Sequence, residues 1–85
     1  MDIKAQFEAA VADSKTLSQK PDNETLLKLY SLYKQATAGD VSGEAPSNPF
    51  DFVAKAKYNA WESLKGKTTE AAMQEYISLV TTLKG

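Results

Sequence analysis

Asp22-Asn23-Glu24-Thr25-Leu26-Leu27-Lys28-Leu29-Tyr30-Ser31-Leu32-Tyr33-Lys34-Gln35-Ala36-Thr37-Ala38-Gly39 reads as one amphipathic helix with both ends written into it. Leu26, Leu29, Tyr30, Tyr33 and Ala36 recur at helical spacing and form a stripe, with Leu27 on one flank and Leu32 on the other. Asp22 or Asn23 supplies the N-cap, whose side-chain oxygen takes a free N–H of the first turn. Gly39 suits the left-handed conformation that closes a helix. The stripe has the period of a helix and not the strict alternation of a strand, so this segment sets the fold class.

The flanking segments follow the same period. Upstream, Ile3, Phe7, Ala10, Val11, Ser14 and Leu17 predict a first helix over about residues 3 to 17, with Asp2 as its N-cap and Lys20-Pro21 ending the stretch. Downstream, residues 39 to 51 hold two Gly, two Pro, Ser and Asn, which predicts a loop of roughly a dozen residues, long for so small a chain. A third helix is expected from about Phe52 to Leu64, with Val53, Ala56, Ala60, Trp61 and Leu64 on one side and Gly66 as its terminator. Thr68 or Thr69 caps a fourth, in which Ala72, Met73, Tyr76, Ile77, Val80 and Leu83 make the apolar face and Glu70 favours the N-terminal dipole. The expected fold class is all-α, four helices with two short connections and one long one, as in a bundle that includes a crossover.

With 85 residues, 42% apolar and 25% charged, residues 1 to 85 are expected to form a single domain. A domain of this size buries only about 60 to 65% of its unfolded surface, so a ligand is expected in a groove rather than a deep cavity. Cysteine and histidine are both absent, which excludes thiol chemistry, Cys/His metal clusters and the ordinary base for a nucleophilic serine. Neither a paired-acid pattern nor a Gly-rich phosphate loop occurs, so no catalytic residue, metal or cofactor is expected and the chain does not read as an enzyme. All ten basic residues are lysines against eleven acids, so attraction to nucleic acid is not expected. Asp2, Glu8 and Asp13 argue against a signal or transit peptide, and no segment approaches the ~20 apolar residues of a membrane span. A monomeric, cytoplasmic protein without stable membrane insertion is the expectation.

Tyr30, Tyr33 and Lys34 stand at i, i+3 and i+4, so two rings and an ammonium share one patch. Such a patch suits a ligand with both a flat ring and a negative charge, as a phosphorylated nucleotide has. Tyrosines at helical spacing also serve as ordinary boundary packing, each with an apolar body and a hydroxyl that finds a partner. Lys57 falls within the third helix's apolar arc, where either its stem snorkels past Trp61 to water or its charge meets a bound anion. Tyr76 lies in the middle of the fourth helix's apolar face, and Lys15 flanks the first helix's stripe near Val11. On these residues alone, a groove for a partner helix lined by the same tyrosines and Leu27 stands beside the nucleotide reading.

Tyr30 to Asp40, followed by Asp51-Phe52, Lys55-Ala-Lys57-Tyr-Asn-Ala-Trp61, Leu64-Lys-Gly66 and Ala72-Met73 with Tyr76, resembles the acyl-CoA-binding protein family, in order from Phe7 to Leu83. The resemblance implies a four-helix up-down-down-up bundle that binds medium- to long-chain acyl-CoA thioesters without turning them over, with transient contacts to acyl-CoA-using enzymes. It implies that Tyr30, Tyr33 and Lys34 receive the adenine and ribose 3′-phosphate, with Lys57 as a phosphate-binding lysine, Tyr76 beside the ligand and Lys15 at the rim. Ser31 and Leu32 lie within the same segment. The acyl chain is expected in a groove near Phe7, Leu26 and Leu27. Val53 and Ala45 stand where many members carry a basic residue, Tyr58 replaces a frequent tryptophan, and residues 47 to 50 include an extra one. The two missing cations imply weaker phosphate attraction.

Overall fold

The computed structural model describes residues 2–17, 19–41 and 50–84, and four helices account for most of them: α1 (Ile3–Ser14), α2 (Asn23–Ala38), α3 (Phe52–Glu62) and α4 (Thr69–Lys84). Ala45 and the altered loop before Phe50 lie outside the described residues. Asp2, Asp22 and Asp51 cap the first three helices by accepting from the backbone N–H groups of Lys4, Thr25 and Ala54. Thr68 does the same for α4, its Oγ1 accepting from Ala71 N–H at 3.1 Å. Gly39 closes α2 at φ 82°, a conformation that a β-carbon would strain.

Two helices end earlier than their apolar stripes predict. α1 stops at Ser14 rather than near residue 17, because hydroxyls compete for its last carbonyls: Ser14 Oγ donates to Val11 O and Thr16 Oγ1 to Asp13 O. α3 stops at Glu62 rather than Leu64, where the chain tightens into i→i+3 bonds from Leu64 and Lys65 to Trp61 and Glu62.

Helix directions follow from which ends meet. Ile3 and Gln6 border Gln74, Ile77 and Ser78, and farther along Asp13 meets Lys84 at 3.0 Å, so α1 and α4 run parallel. Leu26 and Leu27 border Phe52 and Val53 while Gln35 meets Trp61, so α2 and α3 are also parallel. Gln35 reaches Lys67 just before α4, whereas Leu26 and Leu29 border Tyr76, so α2 opposes α4. The result is an up-down-down-up bundle, and the parallel α2/α3 pair is what makes the long 39–51 connection necessary.

The core is built by three helices. Phe7 and Ala10 of α1, Leu29, Leu32 and Ala36 of α2, and Ala72, Tyr76 and Val80 of α4 are buried together. α3 contributes no buried residue, and its backbone comes close only to α2. The apolar face read for α3 is therefore only partly used for packing: Ala56, Ala60 and Trp61 are half-buried, while Val53 remains 65% exposed.

A polar hub ties the end of α2 to the α3–α4 turn. Gln35, fully buried, donates through Nε2 to Asp40 Oδ1 and Lys67 O, and its Oε1 accepts from Trp61 Nε1 at 3.1 Å. Trp61 Nε1 also donates to Gly39 O at 2.9 Å, and Asp40 Oδ1 accepts from Gly66 N–H at 2.8 Å. Every amide atom of Gln35 thus has a partner, which is what a buried side-chain amide requires.

The Gly66 N–H, then the Gln35 amide, hold the Asp40 carboxyl below its ordinary range, opposed by desolvation and helped by Lys65. Thr25 does likewise for Asp22 through its side-chain and backbone donors. Because both folded-state values are depressed, the unfolded chain takes up these protons first as pH falls. Their stabilisation is full above the usual carboxylate range and is lost as pH drops below about 4. Asp40→Asn retains an oxygen acceptor for both donors, so its melting temperature should fall less steeply between pH 5 and pH 2.5 than the parent's. An unchanged slope in thermal melts would assign the acid sensitivity to other carboxylates.

Candidate functional site

The predicted site residues converge on Tyr30. Its ring receives the Lys57 ammonium from α3 at 5.2 Å from the centroid and the Lys34 ammonium from its own helix at 5.9 Å. Lys34 Nζ lies at 5.8 Å from the Trp61 ring as well, so it sits between two aromatic faces. Each such contact contributes about 0.5–1 kcal/mol at an exposed site and ~2 kcal/mol when desolvated. Both lysines are half-buried, as befits a side chain that lays its stem along apolar surface and keeps its charge at the edge.

Tyr30 is also a wall shared by two depressions. On one side, Val11, Ser14, Lys15, Leu26, Leu29, Tyr30, Tyr33 and Tyr76 line a cleft of about 320 Å³ between α1, α2 and α4. On the other, Leu26, Leu27, Tyr30, Phe52, Val53 and Lys57 are among the residues lining a groove of about 390 Å³ between α2 and α3. The first side carries three tyrosine rings and an ammonium. The second is mainly apolar, with the Lys57 cation at one end and Asn23 at the other.

Lys15, Tyr30, Tyr33 and Tyr76 therefore share the cleft, and Lys34 and Lys57 join through the Tyr30 ring. Lys15 lines it from the exposed C-cap position of α1. Tyr76 is 4% exposed, and its hydroxyl donates to Ser14 Oγ at 3.0 Å, which passes a hydrogen bond to Val11 O. Tyr33 is 40% exposed and stacks on Phe7, with ring centroids 6.0 Å apart.

Three predicted residues are placed differently. Ser31 and Leu32 are buried, Leu32 in the core and Ser31 with its hydroxyl donating to Lys28 O, so their side chains do not reach the cleft. Phe7 does not share a groove with Leu27. It is buried between Tyr33 and Tyr76, edge-on to Tyr76 at 5.1 Å, and its rim borders a separate depression with Lys4, Val11 and Met73. The helical wheel gave Phe7 an inward direction but not its neighbour, and α1 lies against α4 rather than α3.

Residues that spacing alone did not single out also line these surfaces. Ser14 and Leu29 belong to the cleft, and Asn23, Phe52 and Ala56 to the groove. Ser14 carried no signal because its role depends on a hydroxyl 62 positions away. Asn23 and Phe52 begin their helices, and only the parallel α2/α3 pairing sets them side by side.

The family model described as Acyl CoA binding protein matches residues 4–80. The chain belongs to the acyl-CoA-binding protein family. The acyl-CoA-binding protein of Ricinus communis is 44% identical over 85 residues, spanning 100% of this chain and 93% of its own. The crystal structure of Oryza sativa acyl-CoA-binding protein 2 aligns with a TM-score of 0.90 at 39% identity, covering 96% of this chain and 90% of that one. Enoyl-CoA delta isomerase 2 of Rattus norvegicus is 47% identical over 77 residues, 91% of this chain but 19% of that protein. The acyl-CoA-binding protein fold thus extends over nearly all of the chain, and the Tyr30 cluster is part of it.

Proposed function

We propose that this chain binds medium- to long-chain fatty acyl-CoA thioesters and acts as a monomeric, cytoplasmic carrier and pool-former that does not turn them over. The observation that carries the reading is the Tyr30 ring, which has two ammonium groups at 5.2 and 5.9 Å from its centroid and borders a three-tyrosine cleft on one side and a mainly apolar groove on the other. In this reading Tyr30, Tyr33 and Tyr76 offer faces for the adenine. Lys15, Lys34 and Lys57 meet the phosphates with charge-assisted hydrogen bonds. Leu26 and Leu27 line the path of the acyl tail, which gains about 0.8 kcal/mol per buried CH₂. Ser31 and Leu32 act from the core side, keeping α2 seated so that its tyrosines face outward.

Calorimetric titration with palmitoyl-CoA, free CoA and palmitate tests the proposal. Tight binding is expected only where head and tail are joined, with free CoA and palmitate each weaker by orders of magnitude. Comparable weak binding of all three, or a protein partner captured with no melting shift on adding thioester, overturns it.

A further inference from the structure

The α2–α3 groove has a direction. Tyr30 and Lys57 stand at one end, Leu26, Leu27 and Ala56 form its middle, and Asn23, Phe52 and Val53 stand at the other. From Tyr30 back to Asn23 is seven residues of α2, about 10 Å of helix. Charge therefore falls from a cation-bearing ring at one end to a mainly apolar stretch, in which Asn23 is the one polar side chain.

The far end is unusual in its exposure. Phe52 and Val53, adjacent on the first turn of α3, are 72% and 65% exposed, although both line the groove. Surface apolar residues scattered singly need no explanation, but a pair at the mouth of an apolar groove extends its wall into solvent. α3 buries none of its residues in the core, so neither side chain is held there by packing across the bundle. Val53 stands where many family members carry a basic residue. Its position gives it a second meaning, since a lysine there would set an ammonium against the apolar end of the groove.

We propose that Phe52 and Val53 form a lip that takes the terminal methylenes of the acyl tail and sets this chain's preference toward longer thioesters. The inference rests on the acyl-CoA reading above. Short tails end beside Leu26 and Leu27, whereas long ones continue over Ala56 to the lip and cover the two exposed side chains. Each further CH₂ then removes apolar surface from water on the ligand and on the protein together.

The test is the ratio of palmitoyl-CoA to octanoyl-CoA affinity, measured by calorimetry for the parent, Phe52→Ala, Val53→Ser and the double variant. The double variant should lose about tenfold in this ratio, with each single variant giving part of it. Both side chains are exposed, so melting temperatures are expected to stay close to the parent's; should Phe52→Ala melt early, Val53→Ser alone reports the ratio. Equal weakening of both thioesters, or an unchanged ratio, overturns the lip while leaving acyl-CoA binding in place. Failure of the parent to bind either thioester overturns the binding reading itself and the lip with it.

Discussion

Tyr30→Ala should weaken palmitoyl-CoA binding by more than roughly tenfold, consistent with the ~1–3 kcal/mol of one ring stacked on a base. The effect exceeds that expected for any other single side chain in the cluster, because this ring does three things at once. In the proposed reading it offers a face to the adenine, and in the structure it neighbours the ammonium groups of Lys34 and Lys57 and borders both cleft and groove. Without it both lysines lose a shared neighbour and the two depressions merge. Lys34→Ala should cost less, since Tyr30 would still hold Lys57. Tyr30 is only half-buried, so thermal stability should change little. Titration and thermal melts on the same sample decide the matter. A collapsed melting point with affinity per folded molecule retained would make Tyr30 a packing residue.

Gln35→Ala should be the most damaging substitution for stability among the polar residues described, costing about 2–4 kcal/mol. The side chain is fully buried and serves three partners, and alanine leaves the Lys67 carbonyl without its donor and a void beside Trp61. For a domain of this size the melting temperature should drop by about 10–20 °C or more. Gln35→Glu should not rescue it, because the new carboxylate would face both the Asp40 carboxylate and the Lys67 carbonyl. Trp61, the only tryptophan, gives a direct readout, since its indole N–H would keep Gly39 O and lose Gln35. A melting point within a few degrees of the parent's would mean that water replaces the amide at little cost.

The helices and their caps were legible because they depend on neighbours in sequence. Asp2 caps where its identity and position indicated, Asp22 rather than Asn23 caps α2, and Thr68 rather than Thr69 caps α4. The convergence of Lys57 with the Tyr30–Lys34 pair was legible in part. A wheel showed that Lys57 stood on an apolar arc, and the family pattern named the partner. What remained hidden depended on which helices pack together. The family resemblance set Phe7 near the acyl groove with Leu26 and Leu27, whereas its ring packs edge-on to Tyr76 of α4, a contact that no spacing within α1 reveals. The Gln35 hub was invisible for the same reason, since a glutamine beside Lys34 carries no sign that its partners are Trp61 and Lys67, 26 and 32 positions away.

The one-sided attachment of α3 has a consequence for how the molecule breathes. α1, α2 and α4 share a buried core, whereas α3 comes close to α2 alone among the helices, with Trp61 tied to Gln35 and Gly39. Free energy of opening is distributed unevenly in such a fold, and the element with the fewest buried contacts exchanges its amide protons first. The bundle is thus a rigid three-helix frame carrying one hinged leaf. A molecule lying between α2 and α3 adds its contacts where the frame has fewest, so occupancy would be felt first as slower amide exchange along residues 52 to 62.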